Sequence, residues 1–124
     1  MRHEFWDYLG ELVDTSQIII DRPKRSTHHC YRGSLYPVDY GYLQGIAAMD
    51  AAKVDIWVGS LGGRKVVGAL CTVDLLKRDI ELKILFDCTN QEISSIFDFV
   101  NTDKMHAIFI DSSQGKENSD GLDT

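Results

Sequence analysis

The sequence predicts a mainly β, α+β domain: a small five-stranded, twisted barrel of OB-like shape with flanking helices. Three observations carry that expectation. Strand-like segments follow one another with short joins from Val38 to Phe86. Helical spacing of apolar residues is confined to two short stretches, "HEFWDYLGELV" and "CTNQEISSIFDFVN". Alternation of apolar and charged residues, the mark of a half-buried strand, is clear in "IELKILF".

Each element has its own reason. Phe5, Trp6, Leu9, Leu12 and Val13 fall on one helical stripe, which reads as packing. "SQIIID", Ser16 to Asp21, is β-branched and reads as a strand that Pro23 ends or edges. Arg22 to Pro37 is polar and basic and reads as a long loop with at most a short strand. "VDYGYLQG" is extended, with Gly41 expected to mark a bend. "KVDIWVGSL" is a strand ending at Gly59, and Lys65 to Val73 another. "LLKRD" joins the latter to "IELKILF", where Ile80, Leu82, Ile84 and Phe86 are expected inward, opposite Glu81 and Lys83. Thr89 or Asn90 caps a helix with Ile93, Ile96, Phe97 and Val100 inside, and "MHAIFI" closes the fold. One domain over residues 1–110 and an acidic, disordered tail over 111–124 are expected.

Composition narrows the function classes. Of 124 residues, 44% are hydrophobic and 26% charged, as in soluble globular chains. No apolar run approaches a membrane span, and the opening "MRHEFWDYLGELV" lacks the pattern of a signal peptide. The odd count of widely spaced cysteines, Cys30, Cys71 and Cys88, points to free thiols in the cytoplasm rather than to disulfides or zinc. Net charge is −6; residues 111–124 hold four acids and one lysine, so half of it lies in the tail. That balance disfavours nucleic acid but allows a small polyanion bridged by divalent metal. No glycine-rich phosphate loop, dinucleotide fingerprint, HExxH helix or solenoid repeat occurs.

The aspartates are the candidates for chemistry. Asp21 ends one strand, Asp50 and Asp55 flank the entry to another, and Asp74 and Asp79 flank the joint "DLLKRD". Carboxylates brought together from strand ends can hold hard cations and a metal-bound water aimed at phosphorus. Taken singly, the same aspartates fit solvated turns, where Asp bonds its local backbone. Arg22, Lys24, Arg25 and Arg32 offer donors to phosphate oxygens, and Tyr36, Tyr40 and Tyr42 offer neutral ones. His28 and His29 read as loop residues, and Trp57 as core or interface.

"IIIDRPK", "YPVDYGYL", "DAAKVDIWVGSL" and "CTVDLLKRDIELK" together resemble the soluble, magnesium-dependent inorganic pyrophosphatases of the first family, closest to their short members, from about Phe5 to Ile110. The resemblance implies an OB-like barrel that hydrolyses pyrophosphate to two phosphates by a metal-activated water. Mg²⁺ is the implied cofactor, with Mn²⁺ as substitute. The positions that match the family's motifs make Asp50, Asp55, Asp74 and Asp79 catalytic metal ligands, and Asp21, where the family has a glutamate near the phosphate end of the site, a further metal ligand. Arg22, Lys24, Tyr36, Tyr40 and Lys83 become contacts for pyrophosphate or phosphate. A homo-oligomer is implied as well, with Phe5, Trp6 or Trp57 as contact residues.

Departures from the pattern are specific. The family motif is Asp-x-Asp-x-x-Asp, and its middle, water-activating acid is here Ala52. Two residues beyond Asp79, where the family tends to place a lysine, stands Glu81, while Lys83 follows on the same strand face. The loop between Asp21 and Tyr36 is short, and "MHAIFIDSS" has no counterpart of the late Tyr-Lys pair of longer members. Three readings follow: a pyrophosphatase slowed at Ala52, a binding module that keeps the pocket without turnover, and a hydrolase of another phosphoanhydride.

Overall fold

A computed structural model describes residues 4–28, 33–45 and 53–113. The sequence candidates Asp50, Ala52, His29, Cys30 and Arg32, and the tail beyond residue 113, lie outside those residues.

Helix α1 (Glu4–Asp14) buries Leu9 and Val13 from the expected stripe, while Phe5 and Leu12 stay exposed. Strand β1 (Gln17–Arg22) pairs antiparallel with β2 (Asp39–Gln44), and the register shifts between Ile20 and Arg22, so Asp21 sits on an irregularity. The basic loop between them folds back on itself: Thr27 bridges Leu35, and Arg25 donates its backbone N–H to the Tyr36 carbonyl at 2.7 Å. Then come β3 (Val54–Val58), β4 (Val66–Asp74), β5 (Asp79–Phe86), α2 (Asn90–Val100) and β6 (Met105–Asp111).

Among the described residues the strands form one six-stranded sheet in the order β1-β2-β3-β5-β4-β6, with β1 and β6 at its two ends. The small five-stranded, OB-like twisted barrel expected from sequence is met by a sheet of six strands rather than five, not closed into a barrel and consistent with a small OB-like fold. The mainly β, α+β class with two flanking helices holds. The β4–β5 hairpin folds back so that β5 lies between β3 and β4, parallel to β3 and antiparallel to β4. That central position buries Ile84 and Leu85 completely.

Side-chain alternation sends the core to both faces of the sheet. On one face Leu43, Ile56, Ile84 and Phe86 pack with Leu9 and Val13 of α1. On the other, Tyr36, Val38, Trp57, Leu70 and Leu85 pack with Ile96 and Val100 of α2. The α2 start is fixed by a capping box: Thr89 Oγ1 accepts from the Glu92 N–H at 3.1 Å, and Glu92 Oε1 accepts from the Thr89 N–H at 2.8 Å. Glu92 also accepts from the Ser60 N–H at 3.0 Å, tying the helix to the turn after β3. Burial alone would raise the Glu92 pKa, but the donors at Thr89 and Ser60 outweigh it and hold the pKa below the ordinary value.

Two expectations fail here for physical reasons. Gly41 does not bend the chain; it lies inside β2, paired with Ile20 on one side and Ile56 on the other. A Cβ there would overlap the Ile19 carbonyl, so glycine allows close backbone approach. In β5 the expected inward residues Ile80 and Leu82 are exposed, at 75% and 39%, whereas Lys83 is only 6% exposed. The α1 face covers the Ile84–Phe86 end of the strand and leaves the Ile80 end open. Glu81 and Lys83 therefore project to the α2 face, where a pocket receives them.

Candidate active site

Strand register decides which candidates meet. Asp55 pairs with Tyr42 on one side and with Lys83 on the other. Lys83 pairs in turn with Leu70, and Asp79 with Asp74 across the β4–β5 hairpin. Directly paired residues share a face, and so do residues two apart on a strand. Asp55, Asp74, Asp79, Glu81 and Lys83 thus lie on one face of the sheet, joined by Tyr40 beside Trp57.

This face forms the floor of a cavity of about 280 Å³. Its walls include Asp21 and Arg22 from β1, His28 and Tyr36 from the basic loop, Lys77 from the hairpin turn, and Phe99 from α2. Of the sequence candidates, Asp21, Arg22, Tyr36, Tyr40, Asp55, Asp74 and Lys83 line it together. Asp79 sits behind, paired to Asp74. Lys24 does not line the cavity; its backbone N–H donates to Asp39 Oδ1 at 2.7 Å, and the residue is exposed.

The most tightly held group is at the centre. Lys83 Nζ donates to Asp55 Oδ2 at 2.8 Å, to Glu81 Oε1 at 2.8 Å and to Tyr40 Oη at 3.0 Å. Tyr40 Oη donates in turn to the same Asp55 oxygen at 2.7 Å. Burial opposes charge on Lys83, but Tyr40, Asp55 and Glu81 outweigh it and push the ammonium pKa above its ordinary value. Burial likewise raises the Tyr40 phenol, with Lys83 working against the rise. Tyr36 is raised by burial too, with the neighbouring Arg22 guanidinium opposing.

An aromatic wall holds these groups in place. Trp57, 1% exposed, packs at 4.5 Å from the Tyr40 ring and 5.9 Å from Tyr36, while Phe99 lies 4.8 Å from Tyr36. The His28 ring stacks on Tyr36 at 5.6 Å. Trp57 is therefore core, and the expectation that it serves as a contact between subunits is corrected by its burial.

The hairpin end of the cavity is less saturated. Asp74 Oδ1 accepts the Leu76 and Lys77 N–H groups at 2.9 and 3.1 Å, the ordinary turn role. Asp79 Oδ1 is buried and has no hydrogen-bond partner among the described residues. A buried carboxylate oxygen without a donor is costly, and a cation is the simplest remedy. Still, no group of three or more His, Cys, Asp or Glu side chains among the described residues is gathered closely enough to hold a metal ion. The Asp74–Asp79 pair suits Mg²⁺ only in the manner of a cation that keeps most of its water and takes one or two carboxylates plus phosphate. At Asp55, Oδ2 already accepts from an ammonium and a phenol, so a cation there would have to displace them or take the other oxygen.

Sequence reading missed Glu81 as a member of the cluster and His28, Lys77 and Phe99 as cavity walls. The signal for Glu81 was present: Asp79, Glu81 and Lys83 stand at alternate positions of one strand. For the walls no local signal exists, because the tertiary packing of the basic loop, the hairpin turn and α2 brings them together.

No protein-family model matches the chain, and no curated protein matches it. Among solved structures, the chain is similar to an inorganic phosphatase from Anaplasma phagocytophilum, at 17% sequence identity and a TM-score of 0.54. The match covers 86% of this chain and 85% of that one. At that identity the likeness establishes a shared fold.

Proposed function

We propose that this chain hydrolyses pyrophosphate in the cavity between the sheet and α2. The observation that carries the reading is the convergence of Asp21, Arg22, Tyr36, Tyr40, Asp55, Asp74 and Lys83 on one small cavity. Support comes from the "YPVDYGYL" and "CTVDLLKRDIELK" resemblances and from the fold shared with an inorganic phosphatase.

Pyrophosphate is a compact polyanion. The cavity, at about 280 Å³, falls at the lower edge of the ~300–1,000 Å³ of ordinary ligand sites. It favours a small anion over a nucleotide. Its lining holds four carboxylates against Arg22, Lys77 and Lys83, so a bound polyanion needs added positive charge. Mg²⁺, with Mn²⁺ as substitute, is the proposed source, held by Asp74 and Asp79. Bound there, the metal would supply charge neutralisation and a more acidic water.

The chain's own groups do the rest. Arg22 stands at the rim, and its guanidinium can donate to phosphate oxygens in pairs. Tyr36, whose phenol pKa is raised above its ordinary value by burial with Arg22 opposing, offers a neutral donor beside it. Lys83, Asp55, Glu81 and Tyr40 hold one another and fix the floor. Phe99, Trp57 and Val100 exclude water from one side, which strengthens each polar contact inside.

A second reading has its own observation. Ala52 has no acceptor, and Asp55 is already neutralised by Lys83. Both favour a module that binds pyrophosphate without turning it over. Phosphate release from pyrophosphate in the presence of Mg²⁺ tests the first reading, and no release above buffer overturns it. Calorimetry with pyrophosphate under the same conditions then separates binding without hydrolysis from no interaction.

A further inference from the structure

We propose that the Lys83 ammonium is a built-in cation that occupies the Asp55 end of the cavity in place of a divalent ion, so that metal enters only at the Asp74–Asp79 end. The inference rests on reading this cavity as a cation–phosphate site, and it deepens that reading by saying how the cation positions are filled.

The geometry is that of a filled site. An ammonium has three N–H donors and no acceptor, and Lys83 Nζ has three oxygen acceptors at 2.8, 2.8 and 3.0 Å. These oxygens come from three different strands: Asp55 on β3, Glu81 on β5 and Tyr40 on β2. Such spacing suits N–H···O bonds and is far longer than the ~2.0–2.1 Å of Mg²⁺–oxygen contacts. Asp55 Oδ2 accepts two hydrogen bonds, one of them from Tyr40, which leaves that oxygen poorly placed for a metal. The lysine is also trapped: its side chain is 8% exposed, its stem rises from the centre of the sheet, and Leu70 flanks it on β4. A metal arriving at Asp55 would have to expel a charge that has no other home.

The contrast along one face of the sheet completes the case. At the hairpin end, Asp79 Oδ1 is buried without a partner among the described residues. One end of the carboxylate array thus holds an ammonium in direct contact, whereas at the other end Asp74 and Asp79 have no ion pair among the described residues, although Lys77 stands in the cavity wall nearby. The register explains the division. Lys83 lies directly between Asp55 and Leu70, while Asp79 lies four residues away, at the start of the same strand.

The test counts metal, not turnover, so it stands apart from the hydrolysis assay. Mn²⁺ alone is titrated into the full chain and into Lys83→Met, and free Mn²⁺ is followed by electron paramagnetic resonance. The variant is expected to gain a Mn²⁺ site, or to bind on the order of tenfold tighter or more, because a unit charge in direct contact with the carboxylates has been removed. Adding Asp55→Asn to the variant is expected to abolish that gain. Identical isotherms for wild type and Lys83→Met overturn the proposal, as does a wild-type Mn²⁺ site that Asp55→Asn destroys. Should Lys83→Met not fold, Lys83→Gln removes the charge while keeping an amide donor, and the same comparison decides.

Discussion

Removing Asp55 should leave a buried ammonium short of one carboxylate, and the cost can be worked from the contacts. In Asp55→Ala, Lys83 loses its 2.8 Å partner and Tyr40 loses the acceptor it donates to at 2.7 Å. Breaking a buried pair by removing one partner costs ~3–5 kcal/mol. The lower end applies, because the Asp55 side chain is 21% exposed and Glu81 remains on Lys83. About 3 kcal/mol is expected, which for a domain of this size lowers Tm by roughly 10 °C. Lys83→Met, which replaces the ammonium by an apolar chain of similar length, should cost less. The informative quantity is the double variant. With both charges gone, no ammonium is stranded, so adding Lys83→Met to Asp55→Ala should recover about 1–2 kcal/mol. Urea or thermal unfolding of the four proteins measures the cycle. Simple addition of the two single losses would refute the coupling inferred from the geometry.

Further outcomes follow from other contacts. Ala52→Asp, which restores the family's middle acid, should raise phosphate release from pyrophosphate by on the order of 10²-fold, the lower end of general-base assistance; an unchanged rate would show that Ala52 is not the limiting departure. Gly41→Ala should destabilise the fold by several kcal/mol, on the order of 3 or more, because the added Cβ meets the Ile19 backbone rather than a movable side chain; a Tm within a few degrees of wild type would contradict that packing. Glu92→Gln should cost up to about 1 kcal/mol at neutral pH, because the amide keeps an acceptor for the Thr89 and Ser60 N–H groups but loses the charge that strengthens those bonds and favours the helix N-terminus. Since the folded Glu92 pKa is depressed, its stabilisation is fully present above the unfolded carboxylate value and lost as pH falls through the folded one. The gap between wild type and Glu92→Gln should therefore close on acidification, and a gap constant from pH 7 to pH 3 would contradict the assignment.

Much of the fold is legible in the sequence because its signals are local. The β-branched run Ile18–Ile20, the Thr89–Glu92 capping box and the α2 stripe of Ile93, Ile96, Phe97 and Val100 each declare themselves within a few residues. What local pattern cannot supply is which strands are neighbours. The placing of β5 between β3 and β4 sets the sheet order, and no single segment encodes it. The same gap explains the misread face of β5. Alternation identified the two sides of the strand correctly, but the side near Ile80 is left uncovered while Lys83 is buried by neighbours from β2 and β3.

The cavity divides along similar lines. Strand-end aspartates stood out by spacing, and Asp21, Asp55 and Asp74 do line one cavity. Lys83 was noticed as a cation on the strand, yet its partners were not, because a hydrogen bond to a residue 43 positions away has no trace in local sequence. Lys24 shows the converse: it stands in a basic run, but the turn after Pro23 presents its backbone, not its side chain, to Asp39.

One measurement bears most directly on the central claim: phosphate released from pyrophosphate with Mg²⁺, by the wild-type chain and by Asp79→Asn. Release above buffer that Asp79→Asn abolishes is the predicted result. No release from the folded wild-type chain, or release that Asp79→Asn leaves untouched, would contradict it.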